Sequence, residues 1–85
     1  MILRITELQV VGRYLLRVSF NDRTRKTVDV FPLLEGPVFE PLKDPAFFAR
    51  VVLDPITGTA AWPNDADLAP EALHELGAVE EHTAA

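Results

Sequence analysis

The chain has no cysteine, one serine and two histidines. Disulfides, thiolate metal sites and a cysteine nucleophile are therefore excluded, and stability has to come from packing. Ser19 falls in a strand-like stretch, and neither His74 nor His82 has a serine or acidic partner at the spacing of a nucleophilic triad. The two histidines also miss the i, i+4 spacing of helical zinc ligands. Gly12, Gly36, Gly58 and Gly77 are isolated, so there is no glycine-rich phosphate loop. No run approaches the roughly 18 apolar residues of a membrane span, and Met1-Ile2-Leu3-Arg4 lacks the basic-then-apolar layout of a secretory signal. The expected setting is cytoplasmic, with no membrane partner.

Positive charge is missing from a whole segment. All eight Lys and Arg residues lie within 1–50, beside six acidic residues, whereas 51–85 carries seven acidic residues and no Lys or Arg. A net charge of −5 thus conceals a basic first part and a strongly acidic second part. Either the fold brings the two together, or it leaves oppositely charged faces for partners.

Eighty-five residues, 48% of them apolar, suffice for one folded domain with a modest core. We expect that domain over 1–78, with a flexible tail over 79–85. Tyr14, Leu16, Val18 and Phe20 alternate with Arg13, Leu15, Arg17 and Ser19, the period of a half-buried strand. Upstream, Leu3 and Ile5 share one parity and Leu8 and Val10 the other, which a bulge near Thr6-Glu7 would reconcile. Turns over Val11-Gly12-Arg13 and Asn21-Asp22-Arg23-Thr24 would link strands 2–10, 13–20 and 25–30 into an antiparallel meander, Val28 and Val30 pointing inward.

Four prolines and a glycine between Phe31 and Pro45 bar a long helix or central strand and leave an ordered loop with short helical turns. Asp44 before Pro45 reads as an N-cap followed by proline at the first helical position. Val51–Leu53 and Thr59–Trp62 read as a second β-hairpin across Asp54–Gly58. Asp67 or Pro70 opens a last short helix that ends by Gly77. The fold class is α+β: a three-strand antiparallel meander, a short helix, a second β-hairpin and a short C-terminal helix.

Asn64-Asp65-Ala66-Asp67 resembles a metal loop only superficially, because the glycine and closing glutamate of a calcium loop are absent. Turn formation and capping of the following helix account for these side chains better. Glu40, Asp44 and Asp65 each have a local turn or cap role, and nothing in their spacing pairs them for acid–base chemistry. At least three of Phe39, Phe47, Phe48 and Trp62 are expected in the core, and the Trp62-Pro63 bond is a candidate for the cis form. No catalytic, cofactor-binding or metal-binding residue is assigned, and a non-enzymatic role is expected.

Arg4, Arg13, Arg17, Arg23, Arg25 and Lys26 cluster on the meander. Arg13, Arg17 and Arg25 form the candidate interaction face, suited to phosphates or an acidic protein. The acidic overall balance, and the lack of aromatics interleaved with the arginines, argue against direct nucleic-acid binding. An edge strand is the expected docking element, for a protein partner or for a second copy in a homodimer.

Several blocks carry a family resemblance: Leu16-Arg17-Val18-Ser19-Phe20-Asn21-Asp22, Val28-Asp29-Val30-Phe31-Pro32-Leu33-Leu34, Phe39-Glu40-Pro41-Leu42-Lys43-Asp44-Pro45, and Gly58-Thr59-Ala60-Ala61-Trp62-Pro63-Asn64-Asp65-Ala66-Asp67-Leu68-Ala69-Pro70. With them the chain resembles the bacterial domain-of-unknown-function family 2442 over about residues 1–75. Phe39, Asp44, Trp62, Asn64 and Asp67 are its structural signature here. Arg23 departs from the pattern, since the family commonly places glycine there. The resemblance implies an α+β domain without established catalytic residues. It also implies a gene neighbourhood like that of a toxin–antitoxin pair, with this protein as the antitoxin-like member and a protein-interaction module. The alternatives are a transcription-regulator-associated domain acting on DNA through a partner, and a small-ligand-binding domain.

Overall fold

Leu16, Val18 and Phe20 point to one side of their strand because successive side chains alternate, and burying that side organises the molecule. The computed structural model describes residues 2–80. Strands β1 (Ile5–Gly12), β2 (Leu15–Phe20) and β3 (Arg25–Asp29) form an antiparallel sheet in the order β1-β2-β3. The register slips between Ile5 and Glu7, where the change of hydrophobic phase places a bulge, and again between Val10 and Gly12.

The first turn differs from the sequence reading. Gly12 still pairs with Leu15, so the reversal is made by Arg13 and Tyr14, and Tyr14 takes a left-handed φ of 62°. Tertiary contacts hold it there: its ring packs on Phe31 and Phe48, with centroids 4.9 and 5.6 Å away, and its hydroxyl donates to the Lys43 carbonyl.

The proline-rich stretch forms two 3-10 turns, Phe31–Leu33 and Glu40–Lys43, and leads into helix α1 (Pro45–Phe48). Asp44 caps α1 by accepting the Ala46 amide at 3.1 Å, with proline at the first position as expected. A second sheet follows, in the order β4 (Val52–Leu53), β5 (Ala60–Ala61) and β6 (Asp67–Leu68), before helix α2 (Pro70–Glu75). Strand β6 extends the expected hairpin to three strands. It also removes Asp67 from the capping role: Asp67 is an exposed strand residue, and Ala69 occupies the N-cap without a side-chain hydrogen bond. Proline at the first helical position, which needs no amide partner, sets where α2 begins.

Ile5, Leu16, Val18, Phe20 and Val28 of the first sheet, with Val30 just past β3, meet Leu42, Phe48, Trp62, Leu68 and Leu73 in one core. Phe48 and Trp62 are fully inside, while Phe39 and Phe47 pack half-buried against it, so two of the four aromatics are interior rather than three. The Trp62 indole N–H donates to the Phe48 carbonyl at 2.9 Å, tying β5 to α1. No peptide bond among the described residues is cis, Trp62–Pro63 included. The two sheets join where the Ile5 amide donates to the Gly58 carbonyl at 2.9 Å. Gly58 has a φ of 71°, and a Cβ there would stand 2.8 Å from the Arg4 Cβ, so both conformation and close approach call for glycine. The expected tail lies largely on residues outside the described range, but the Val79 amide donates to the Thr27 carbonyl of β3 at 2.8 Å.

Candidate interaction site

The alternation that buries Leu16 and Val18 turns Arg17 and Ser19 to the opposite face. Register aligns Gln9, Arg17 and Thr27 across the three strands, and Glu7, Ser19 and Arg25 beside them. Arg17 Nη1 donates to Gln9 Oε1 at 2.9 Å, and Arg25 Nε to Ser19 Oγ at 3.1 Å. Arg25 also approaches Glu7 at 3.5 Å, an open pair whose side chains are 69% and 71% exposed. Exposed pairs of this kind contribute little to stability. The face is a shallow open groove of about 270 Å³, lined by Glu7, Leu8, Gln9, Arg17, Ser19 and Arg25. It continues past Arg25 toward Arg23 and Thr24.

Of the three candidate arginines, the structure brings Arg17 and Arg25 to this groove. Arg13 is exposed in the β1–β2 turn and does not line it. Arg23, a turn residue and the departure from the family pattern, stands at the far end of the groove with a left-handed φ of 73°.

The signature residues serve the scaffold. Asn64 clamps two loops together: its Nδ2 donates to the Val38 carbonyl at 2.9 Å, while its Oδ1 accepts the Ala66 amide at 3.2 Å. Asp65 occupies the left-handed position of that turn, at φ 69°. Among the described residues no three histidine, aspartate or glutamate side chains converge in a cluster suited to a metal ion.

Sequence reasoning missed the attachment of α2. Lys26 points to the inner face, where its Nζ donates to the carbonyls of His74 and Leu76, the latter at 2.6 Å. A cation at these open carbonyls suits the negative end of a helix. His74 sits 2.8 Å from Asp22 Oδ2 and edge-on to Phe20, 4.8 Å between centroids. Asp22 is held below the ordinary carboxyl value chiefly by the Thr24 amide it accepts, then by the Thr24 hydroxyl, with His74 adding to the effect. Asp54 is lowered in the same direction by the Ile56 and Thr57 amides, with a smaller contribution from Arg4.

Fold and face together define a small α+β domain with two antiparallel sheets and an arginine-bearing groove on the outer face of the first. Residues 5–77 match the family model described as "Protein of unknown function (DUF2442)", and the chain belongs to that family. Neither a curated protein nor a solved structure matches it. Among the described residues no helix is long and apolar enough to cross a membrane.

Proposed function

We propose that this domain is a non-catalytic protein-interaction module, the antitoxin-like member of a two-gene pair, which docks an acidic surface of its partner on the outer face of the first sheet. The observation that carries the reading is the groove over β1, β2 and β3, where Arg17 and Arg25 are set among Gln9, Ser19 and a single carboxylate, Glu7. Its neutral side chains offer hydrogen bonds, and its two guanidiniums suit carboxylates in planar, bidentate geometry. Such a face favours electrostatic selection of a partner over burial of a large apolar area. The groove holds no histidine and no aromatic ring beyond the Phe20 at its rim, so it lacks a stacking platform for bases.

The test is affinity capture from host extract, with mass spectrometry of stoichiometric partners, using the wild type and the Arg17→Glu/Arg25→Glu double variant. One protein should co-purify with the wild type in a salt-sensitive manner and be lost with the variant, whose thermal midpoint stays close to wild type. Failure to capture a partner removes the interaction reading, and equal capture by the double variant removes the face assigned to it.

A further inference from the structure

We propose that the outer edge of β3 is a docking site for an extended acidic segment of the protein partner, and that residues 77–80 of this chain occupy that edge as a displaceable placeholder. The inference rests on the interaction-module reading and specifies where a partner's backbone would engage.

Backbone hydrogen bonds fix the geometry. Phe20 N donates to Thr24 O and Val30 N to Tyr14 O, each at 2.9 Å, so these residues form hydrogen-bonded pairs at the two ends of the β2–β3 ladder. In the observed register the pairing alternates, which turns the backbone groups of Arg25, Thr27 and Asp29 away from β2 toward the outer edge. The Val79 amide meets that edge at the Thr27 carbonyl. A strand added there would continue the sheet, the mode by which an extended peptide augments an open edge.

The resident segment meets β3 through the Val79 amide. Gly77, Ala78, Val79 and Glu80 are all exposed, and open space surrounds the position of a Gly77 Cβ. Its anchor lies just upstream, where Lys26 holds the His74 and Leu76 carbonyls and Asp22 meets His74. Residues beyond Leu76 can therefore leave β3 while α2 stays on the core. The segment also suggests what the edge accepts: Glu75 and Glu80 flank Leu76, Gly77, Ala78 and Val79, and the β2–β3 hairpin carries Arg23 and Arg25. An incoming strand with flanking carboxylates reproduces that chemistry, and the cis segment competes with it at an effective concentration of order millimolar.

Two measurements on the full chain test this. Native-state hydrogen exchange should show the Val79 amide opening locally, exchanging at least about 100-fold faster than the Leu16 and Val18 amides and with little dependence on denaturant. Exchange of Val79 together with the core amides would show that the segment does not leave and would overturn the proposal. In the second, a synthetic peptide with the sequence of residues 75–80 is titrated into isotope-labelled wild type and into Val79→Pro, which removes the resident donor. Shifts should concentrate on Arg25–Asp29, with affinity at least about tenfold higher for the variant. Absence of those shifts, or equal affinity for both proteins, overturns it, as does equal binding of the peptide with both glutamates changed to lysine. If Val79→Pro does not fold, the exchange measurement decides alone. Neither experiment uses the host partner, so failure here leaves the groove reading to its own capture assay.

Discussion

Replacing Trp62 by phenylalanine keeps an aromatic ring in the core but deletes the N–H that reaches the Phe48 carbonyl at 2.9 Å. Two losses combine. A buried neutral hydrogen bond contributes about 1 kcal/mol net, and an orphaned carbonyl can raise the cost to about 3 kcal/mol. The Phe48 carbonyl is not orphaned, because it also accepts the Val51 amide at 3.2 Å, so the low end applies. The smaller ring leaves a space beside Phe48, whose centroid lies 5.8 Å from that of Trp62, and the lost contact adds about 1–2 kcal/mol. The expected destabilisation is thus about 2–3 kcal/mol, a large share of the 4–13 kcal/mol or so typical of a chain this long. Urea unfolding followed by far-UV circular dichroism, which does not need the indole, measures it as a lowered midpoint at constant slope. A loss below about 0.5 kcal/mol would refute the view that the indole joins β5 to α1. A loss above about 5 kcal/mol would refute the assumption that the second donor spares the carbonyl.

The remaining predictions concern surface and edge positions. Lys26→Met keeps the aliphatic stem but removes the cation from the carbonyls of His74 and Leu76. It should cost about 1–3 kcal/mol, lower the thermal midpoint by about 5–15 °C, and speed amide exchange in α2 more than in β2. Arg23→Gly should stabilise by about 0.5–1 kcal/mol in the same unfolding assay, because φ is 73° there and glycine carries no Cβ penalty. Asp22 and Asp54 have folded-state pKa values below the ordinary 3.8, so the stability they contribute is present above that value and is lost as pH falls through their lowered values. Asp54→Asn keeps an acceptor for the Ile56 and Thr57 amides but does not titrate, so unfolding curves between about pH 4 and pH 2 should fall less steeply than for wild type.

Local pattern made much of the fold legible, and long-range pairing hid the rest. The β2 alternation, the bulge near Thr6-Glu7 and the Asp44–Pro45 helix start are short-range signals that burial and capping then enforce. Tyr14 continued the alternation in sequence, yet it turns the chain because Phe31, Phe48 and Lys43 hold its side chain from afar. β6 is two residues long, too short to show a period, and its pairing with β5 depends on the turn that Asn64 closes. Asp67 read as a cap because acidic residues favour helix starts, but the third strand of the second sheet uses those residues before α2 begins. In the candidate site, strand parity made Arg17 and Arg25 legible. Arg13 shared that parity in sequence and lost it at the turn, where alternation no longer applies.

The division of charge along the chain acquires a structural account at the junction of its two parts. Arg4 reaches the Pro55 and Ile56 carbonyls at 2.8 and 3.1 Å and contributes to lowering Asp54, while Lys26 closes the carbonyl end of α2. Lys26 lies in β3 and Arg4 immediately precedes β1, and both bind backbone oxygens in the acidic part. The charge split therefore helps attach the second sheet and α2 to the first. Arg17 and Arg25 lie on the opposite face of the sheet, where Arg17 meets Gln9 and Arg25 meets Ser19 and Glu7. Side chains that join the two parts should lower stability when replaced, whereas the outer pair should alter association without unfolding the domain. The contrast between Lys26→Met and Arg17→Glu/Arg25→Glu tests that separation, and a double variant as destabilised as Lys26→Met would show that the outer face belongs to the scaffold.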